Sequence, residues 1–365
     1  YAFYECTGIK KVKIPISTNY VWDGSASFCE CNSIEELEFT KGTGEIYVPT
    51  RDYNWGSSFS YNARSVIAWS KETLKRVTFE DGIKEIYNYA FYGCSNLENV
   101  KFPTDVEKIG NYAFYGCSSW NEELVLPETV KEIGSYAFSG CSMLTGDLKI
   151  PDNVETIGSY AFDGCKMLTG DLKLGGKITR INGQTFYGCS SLTGVRIPEG
   201  VKSIENGTFF NCNSLKNLII ADSVTSIGHN AFSNCNSLTS VVIPNNVRTI
   251  RDEAFSRCKS LVSVTIPKNV NNMDKDIFLG CENLKEINVE TGNQKYKSGE
   301  GVLYDKSGST LIQYPPAKEA EWFLIPDGVK TIQYHAFAYC NSLKKVNIPN
   351  SVDKITISQS TVLYT

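Results

Sequence analysis

The stretch Val224-Thr-Ser-Ile-Gly-His-Asn-Ala-Phe-Ser-Asn-Cys-Asn-Ser-Leu-Thr-Ser-Val-Val-Ile-Pro244 decides the fold, because the chain repeats it. Twenty-three residues on, Val247, Ile250, Ala254, Phe255, Cys258, Leu261, Val264, Ile266 and Pro267 stand in the same order. Working outward, Cys94, Cys117, Cys141, Cys165, Cys189, Cys212, Cys235, Cys258 and Cys281 follow one another at 23 or 24 residues. Cys6, Cys31 and Cys340 take the same slot farther out, so twelve of the 13 cysteines share one register. A fixed period of this length means that each repeat is one supersecondary unit stacked on the next.

Counted from the cysteine, position −11 is Val or Ile, −8 is Ile or Met, −3 is Phe on eight successive rungs (Phe114 to Phe278), and +3 is mostly Leu. The segment Leu261–Pro267 reads as a short strand, with Val264 and Ile266 inward and Ser263 and Thr265 outward, because side chains alternate along a strand. Pro267 lacks the N–H a ladder needs and suits the strand end. Gly at −7 (Gly110, Gly134) and at −1 (Gly116, Gly140) marks tight bends. The Ala-Phe segment between them reads as a helical turn or an irregular arc. Lys71 and Ala317 take the cysteine slot on two further rungs, with Leu74, Val77 and Phe79 or Phe323, Ile325 and Pro326 keeping register. One rung buries too few side chains to offset ordering its own backbone, so rungs are stable only when stacked.

The pattern Val-x-x-Ile-Gly-x-x-Ala-Phe-x-x-Cys-x-x-Leu-x-x-Val-x-Ile-Pro resembles the BspA-like (treponemal-type) leucine-rich repeats. Here it runs from Val224-Thr-Ser-Ile-Gly228 through Ala231-Phe232, Cys235, Leu238 and Val241 to Ile243-Pro244, and it covers nearly the whole chain. The segments Gly301–Asp305 and Thr310–Pro315 are similar to an insertion common in that family. The expected fold is an α/β repeat solenoid. It is a leucine-rich-repeat arc of about 14 rungs, with a parallel sheet on the concave face and short helical turns or irregular segments on the other. One solenoid is expected over residues 1–365, with an insert at about 40–70, a hairpin-like insert at about 291–316 turning at Lys306–Ser309, and a frayed or cap-like tail at 356–365. The resemblance implies a surface protein of a host-associated anaerobic bacterium or a mucosal protist, extracellular, with a role in adhesion. It brings no catalytic residues.

Composition narrows the classes. The chain has 365 residues and a net charge of −4, from 36 basic and 40 acidic residues. That argues against a nucleic-acid partner, which needs a basic stripe. No run of 18 apolar residues exists to cross a membrane as a helix. Thirteen cysteines raise the possibility of a disulfide framework. In-register neighbours, however, point their Cβ atoms the same way, a poor geometry for a bridge. Ala317 also stands in the slot, so free buried thiols are expected. Cys29, off the ladder, is the candidate exposed thiol. The ladder is not clustered like a zinc site and only two histidines, His229 and His335, exist, so no metal or other cofactor is expected.

Three surfaces are candidate binding sites. The first is the outward strand face, neutral at Asn217/Ile219, Ser240/Val242 and Ser263/Thr265 and charged toward the N-terminus. There Glu123, Asp147 and Asp171 are expected to stack, either as a solvated face balanced by Lys149 and Lys173 or as a cation site. The second is a tyrosine ladder at position −5, Tyr89, Tyr112, Tyr136 and Tyr160, read either as rung-to-rung stabilisation or as a platform for sugars or peptides. The third is the aromatic insert with Tyr53 and Trp55, read either as packing over the degenerate rung at Lys71 or as a binding loop on a rigid scaffold. The expected function is a non-catalytic, monomeric binding or adhesion module for a protein or glycan on a host or neighbouring microbial surface. The alternative is a spacer or stalk that displays other domains. An enzyme is not expected, since no positioned acid, base or nucleophile is legible.

Overall fold

The computed structural model describes residues 5–15, 31–40 and 72–356. The chain forms two compact units, Tyr1–Thr193 and Gly194–Thr365.

Among the described residues of the first unit, two parallel ladders form. One is made of two-residue strands, Glu85–Ile86, Lys108–Ile109, Glu132–Ile133 and Thr156–Ile157, paired in that order. Each carries the Ile of position −8, and Ile86, Ile109, Ile133 and Ile157 are all buried. The other ladder holds the strands that follow the cysteines, among them Lys11–Pro15, Glu36–Thr40, Arg76–Phe79 and Asn99–Lys101. Val77 lies opposite Leu37 and Val100, so identical slots meet one another across the ladder. The second unit repeats the scheme. Ser203–Ile204, Ser226–Ile227, Thr249–Ile250 and Asn272–Met273 form the short-strand ladder, and Ser263–Ile266 pairs with Glu286–Val289 in the other.

The Ala-Phe arc corrects the expected fold class. The described residues hold no helix and wind as parallel β-solenoid turns, about 13 in all, not as the expected α/β rungs, about 14 of them, with helical turns. The reason lies in the backbone. Position −5 is left-handed on turn after turn (Tyr112 φ 57°, Tyr136 φ 58°, Glu253 φ 56°), and so is position −1 (Gly116 φ 73°, Gly140 φ 77°, Asn234 φ 61°). Two such residues in five forbid a right-handed helix. Hydrogen bonds alternate instead. Tyr112, Phe114 and Gly116 donate their N–H groups to Ser135, Ala137 and Ser139 of the next turn, while Ala113, Tyr115 and Cys117 donate three residues back within their own. The arc is thus a third ladder built from turns, and its polar backbone is satisfied without a helix. The glycine at −7 answers a close approach: a Cβ on Gly110 would lie 2.5 Å from the backbone nitrogen of Asn88.

The core is a stack of identical layers. Phe91, Phe114, Phe138, Phe162 and Phe186 lie face to face in the first unit, with neighbouring ring centroids 5.2–5.5 Å apart. Phe209, Phe232, Phe255 and Phe278 stack likewise in the second, 5.3–6.0 Å apart. Among the described residues the ladder cysteines form no disulfide, and from Cys94 to Cys281 all are buried. Thiols along the ladder donate to the phenylalanine carbonyl of the preceding turn, as Cys141 Sγ does to Phe114 at 3.2 Å, Cys165 to Phe138 at 3.2 Å and Cys258 to Phe232 at 3.3 Å. The slot therefore suits a small side chain with one weak donor.

In the second unit the insert is an antiparallel meander. Tyr296–Gly299 pairs with Val302–Asp305, which pairs in turn with Thr310–Gln313. The last strand rejoins the short-strand ladder, Leu311 opposite Ile332. Tyr314 then takes the phenylalanine slot, its N–H donating to Ala336 as Phe232 donates to Ala254. Asn293, wholly buried, anchors the meander. Its amide donates to the carbonyls of Pro267 and Val270, and its side-chain oxygen accepts from the N–H groups of Lys295 and Tyr296.

Candidate binding surfaces

On the outward strand face of the second unit the neutral positions lie where the repeat register puts them. Ile219 faces Arg196 across a parallel pair, and Ser240 bridges Ser263. Ser263 and Thr265 in turn face Glu286 and Asn288. Asn217, Ile219, Ser240, Val242 and Thr265 are exposed and Ser263 is half-buried. The inward partners Val241, Ile243, Val264 and Ile266 are buried, so the outer side chains stand on a fixed base. Val242 is 79% exposed and Ile219 50%, far from the interior an aliphatic side chain seeks. The face is thus a strip of hydroxyl, amide and aliphatic groups between Arg196 and Glu286.

Sequence reasoning missed two residues of the same kind. Trp322 and Leu324, on the strand Trp322–Leu324, are 64% and 56% exposed and face Lys345 and Asn347. The signal was present, since counting five and seven residues on from Ala317 gives these outward positions.

In the first unit the acids do not stack as expected. Glu123 bridges Thr145 and Asp147 lies opposite Thr169, because each strand carries a left-handed glycine, Gly146 or Gly170, that shifts the register. A Cβ on Gly170 would overlap the Asp147 carboxylate, so each acid covers the glycine of the next turn instead of another acid. Lys149 turns away to Glu128, 2.5 Å off.

The tyrosines do stack. Ring centroids are 4.9 Å apart for Tyr89–Tyr112, 4.6 Å for Tyr112–Tyr136 and 4.5 Å for Tyr136–Tyr160, each pair within 7° of parallel. Tyr92 and Tyr115 form a second column beside them, 4.9 Å apart. Ring faces are spent on one another, and edges and hydroxyls are what the column presents outward. Burial, reinforced by Tyr160 and Tyr112, pushes the Tyr136 hydroxyl pKa upward. Tyr53, Trp55, Cys29 and Lys71 lie outside the described residues, as does the tail beyond Thr356.

The comparisons agree with this architecture. The family described as the BspA type leucine rich repeat region matches in 6 copies, over residues 1–49, 66–192, 179–300 and 317–359. The chain belongs to the BspA-type leucine-rich-repeat family. A leucine-rich repeat protein from Bacteroides ovatus is similar in fold, with a TM-score of 0.65, 21% identity, and coverage of 95% of this chain and 82% of that one. A Treponema pallidum leucine rich repeat protein is 30% identical over 47% of this chain and 79% of its own, with a TM-score of 0.41. A leucine rich cell surface protein from Faecalibacterium prausnitzii is 22% identical, covering 95% of this chain and 69% of that one, with a TM-score of 0.35. No curated protein matches the chain. Among the described residues no helix is long and apolar enough to cross a membrane.

Proposed function

We propose that this BspA-type repeat protein is a binding module of a cell surface, and that it holds a protein partner against the outward strand face of its second unit. The observation that carries this reading is the exposure of Val242 and Ile219 on consecutive turns, beside the neutral Asn217, Ser240 and Thr265 and with Arg196 at the edge of the strip. An aliphatic group held in water on a rigid strand gains when a partner covers it, and uncharged neighbours keep the desolvation cost low. Trp322 and Leu324 extend the same chemistry to a later turn, and tryptophan is a frequent anchor of protein interfaces. The repeated core supplies stiffness, so little conformational entropy is lost when the face is engaged.

A binding screen of the chain against immobilised extracellular-matrix proteins, mucins and glycans tests the proposal. Saturable binding to a protein that weakens when Ile219 and Val242 are replaced supports it. Silence across the panel at high concentration counts against it.

A further inference from the structure

The turn register gathers a group of side chains that the strand face does not use. His229, Asp252 and Asp274 sit at the start of the arc on three successive turns, just after the short strands Ser226–Ile227, Thr249–Ile250 and Asn272–Met273. One ligand atom from each lies within 4.8 Å of the other two, and among the described residues this is the one such group of three. We propose that His229, Asp252 and Asp274 form a binding site for a first-row divalent transition-metal ion such as zinc.

The geometry is close to what such an ion asks. His229 Nδ1 and an oxygen of Asp252 are 3.6 Å apart. Two ligands of a tetrahedral zinc, each at about 2.1 Å, are about 3.4 Å from one another. One imidazole nitrogen and two carboxylate oxygens suit zinc and its neighbours, whereas calcium takes six to eight oxygens.

The carboxylate of Asp252 is aimed by the backbone. Its Oδ1 accepts the N–H of Lys275 at 2.8 Å, which leaves the other oxygen toward His229. This clamp is a ladder feature: Asn88, Asn111 and Asn206 hold the N–H groups of Asn111, Ser135 and His229 in the same way. The ladder thus supplies the fixed outer contact that orients a metal ligand. A groove of about 560 Å³ opens beside the group, lined by Asp252, Asp274, Lys275, Tyr296 and Asp305, and gives an ion and its water access. The opposing feature is Arg251, whose guanidinium lies 3.4 Å from Asp274 and must give way.

Titration calorimetry of zinc chloride into the full chain at neutral pH tests the site. One saturable site is expected, with affinity lowered at least about tenfold in His229→Asn and in Asp274→Asn, the size of loss seen when even an outer-shell partner of a metal is removed. Asparagine is the ladder's own residue in the His229 slot, so the first variant keeps the fold. Cobalt(II) as a spectroscopic stand-in should show no sulfur-to-metal charge-transfer band, which separates this site from the half-buried thiols of Cys6 and Cys340. No saturable heat, unchanged affinity in His229→Asn, or a thiolate band would each overturn the proposal.

Discussion

The same left-handed slot, five residues before the cysteine, holds tyrosines on four turns of the first unit (Tyr89, Tyr112, Tyr136, Tyr160) and Asn230, Glu253 and Asp276 on three turns of the second. Their φ values are nearly equal, 57–61° against 54–58°, so the backbone imposes one conformation whatever side chain it carries. Outside, the units part. The tyrosines spend their rings on one another, while Glu253 accepts from the Ser256 hydroxyl and Asp276, beside a groove, meets His335 at 3.1 Å. Inside, the layers are the same. A repeat of this kind fixes its core and its turn geometry and releases its outer side chains, so chemistry is to be sought where neighbouring turns differ.

The largest expected effect bears on the shared interior. Burial pushes the thiols of Cys117, Cys141 and Cys165 in the first unit, and of Cys235 and Cys258 in the second, well above the ordinary 9.0. Unfolding exposes them to titration near that ordinary value. Their contribution to stability is therefore complete below about pH 9 and is lost as the pH rises toward the folded pKa, by about 1.4 kcal/mol per pH unit for each thiol. Urea midpoints at pH 8 and pH 10 should differ sharply, and equal midpoints would break the claim of a common buried ladder. Next in size, Phe162→Ala should cost about 3–5 kcal/mol, since its ring is wholly buried between Phe138 and Phe186.

The comparison itself is sharpened by glycine. A left-handed L-residue costs about 1–2 kcal/mol that glycine does not. Glu253→Gly should recover that and raise the unfolding midpoint. Tyr136→Gly recovers the same but forfeits two stacked contacts, each about 0.5–1.5 kcal/mol, and so should not. A rise in both would mean that the tyrosine column contributes nothing. Smallest is Cys165→Ala, at about 1 kcal/mol: the Phe138 carbonyl loses the thiol but keeps the N–H of Cys141 at 3.1 Å.

Much of this was legible in the residues. The period, the inward set and the outward face at Asn217 through Thr265 follow from counting, because the fold meets each slot with its own copy. The arc was not. A run such as Tyr112-Ala-Phe-Tyr-Gly116 has helical residues in it, and only the alternating hydrogen bonds show that its N–H groups leave the turn. The acid column failed for a related reason: one extra residue became a glycine kink, so that each acid lies opposite a threonine two residues before the next acid. The grouping of His229 with Asp252 and Asp274 depends on contact between turns at different offsets, which no count from the cysteine reveals.

The account rests on a fixed frame that presents a neutral strand face for binding. Surface plasmon resonance of the wild-type chain and of Ile219→Lys/Val242→Glu, against the immobilised matrix proteins, mucins and glycans of the screen, tests it most directly. Binding should fall at least tenfold in the double variant while its thermal midpoint stays that of the wild type; equal binding by the two chains would contradict the account.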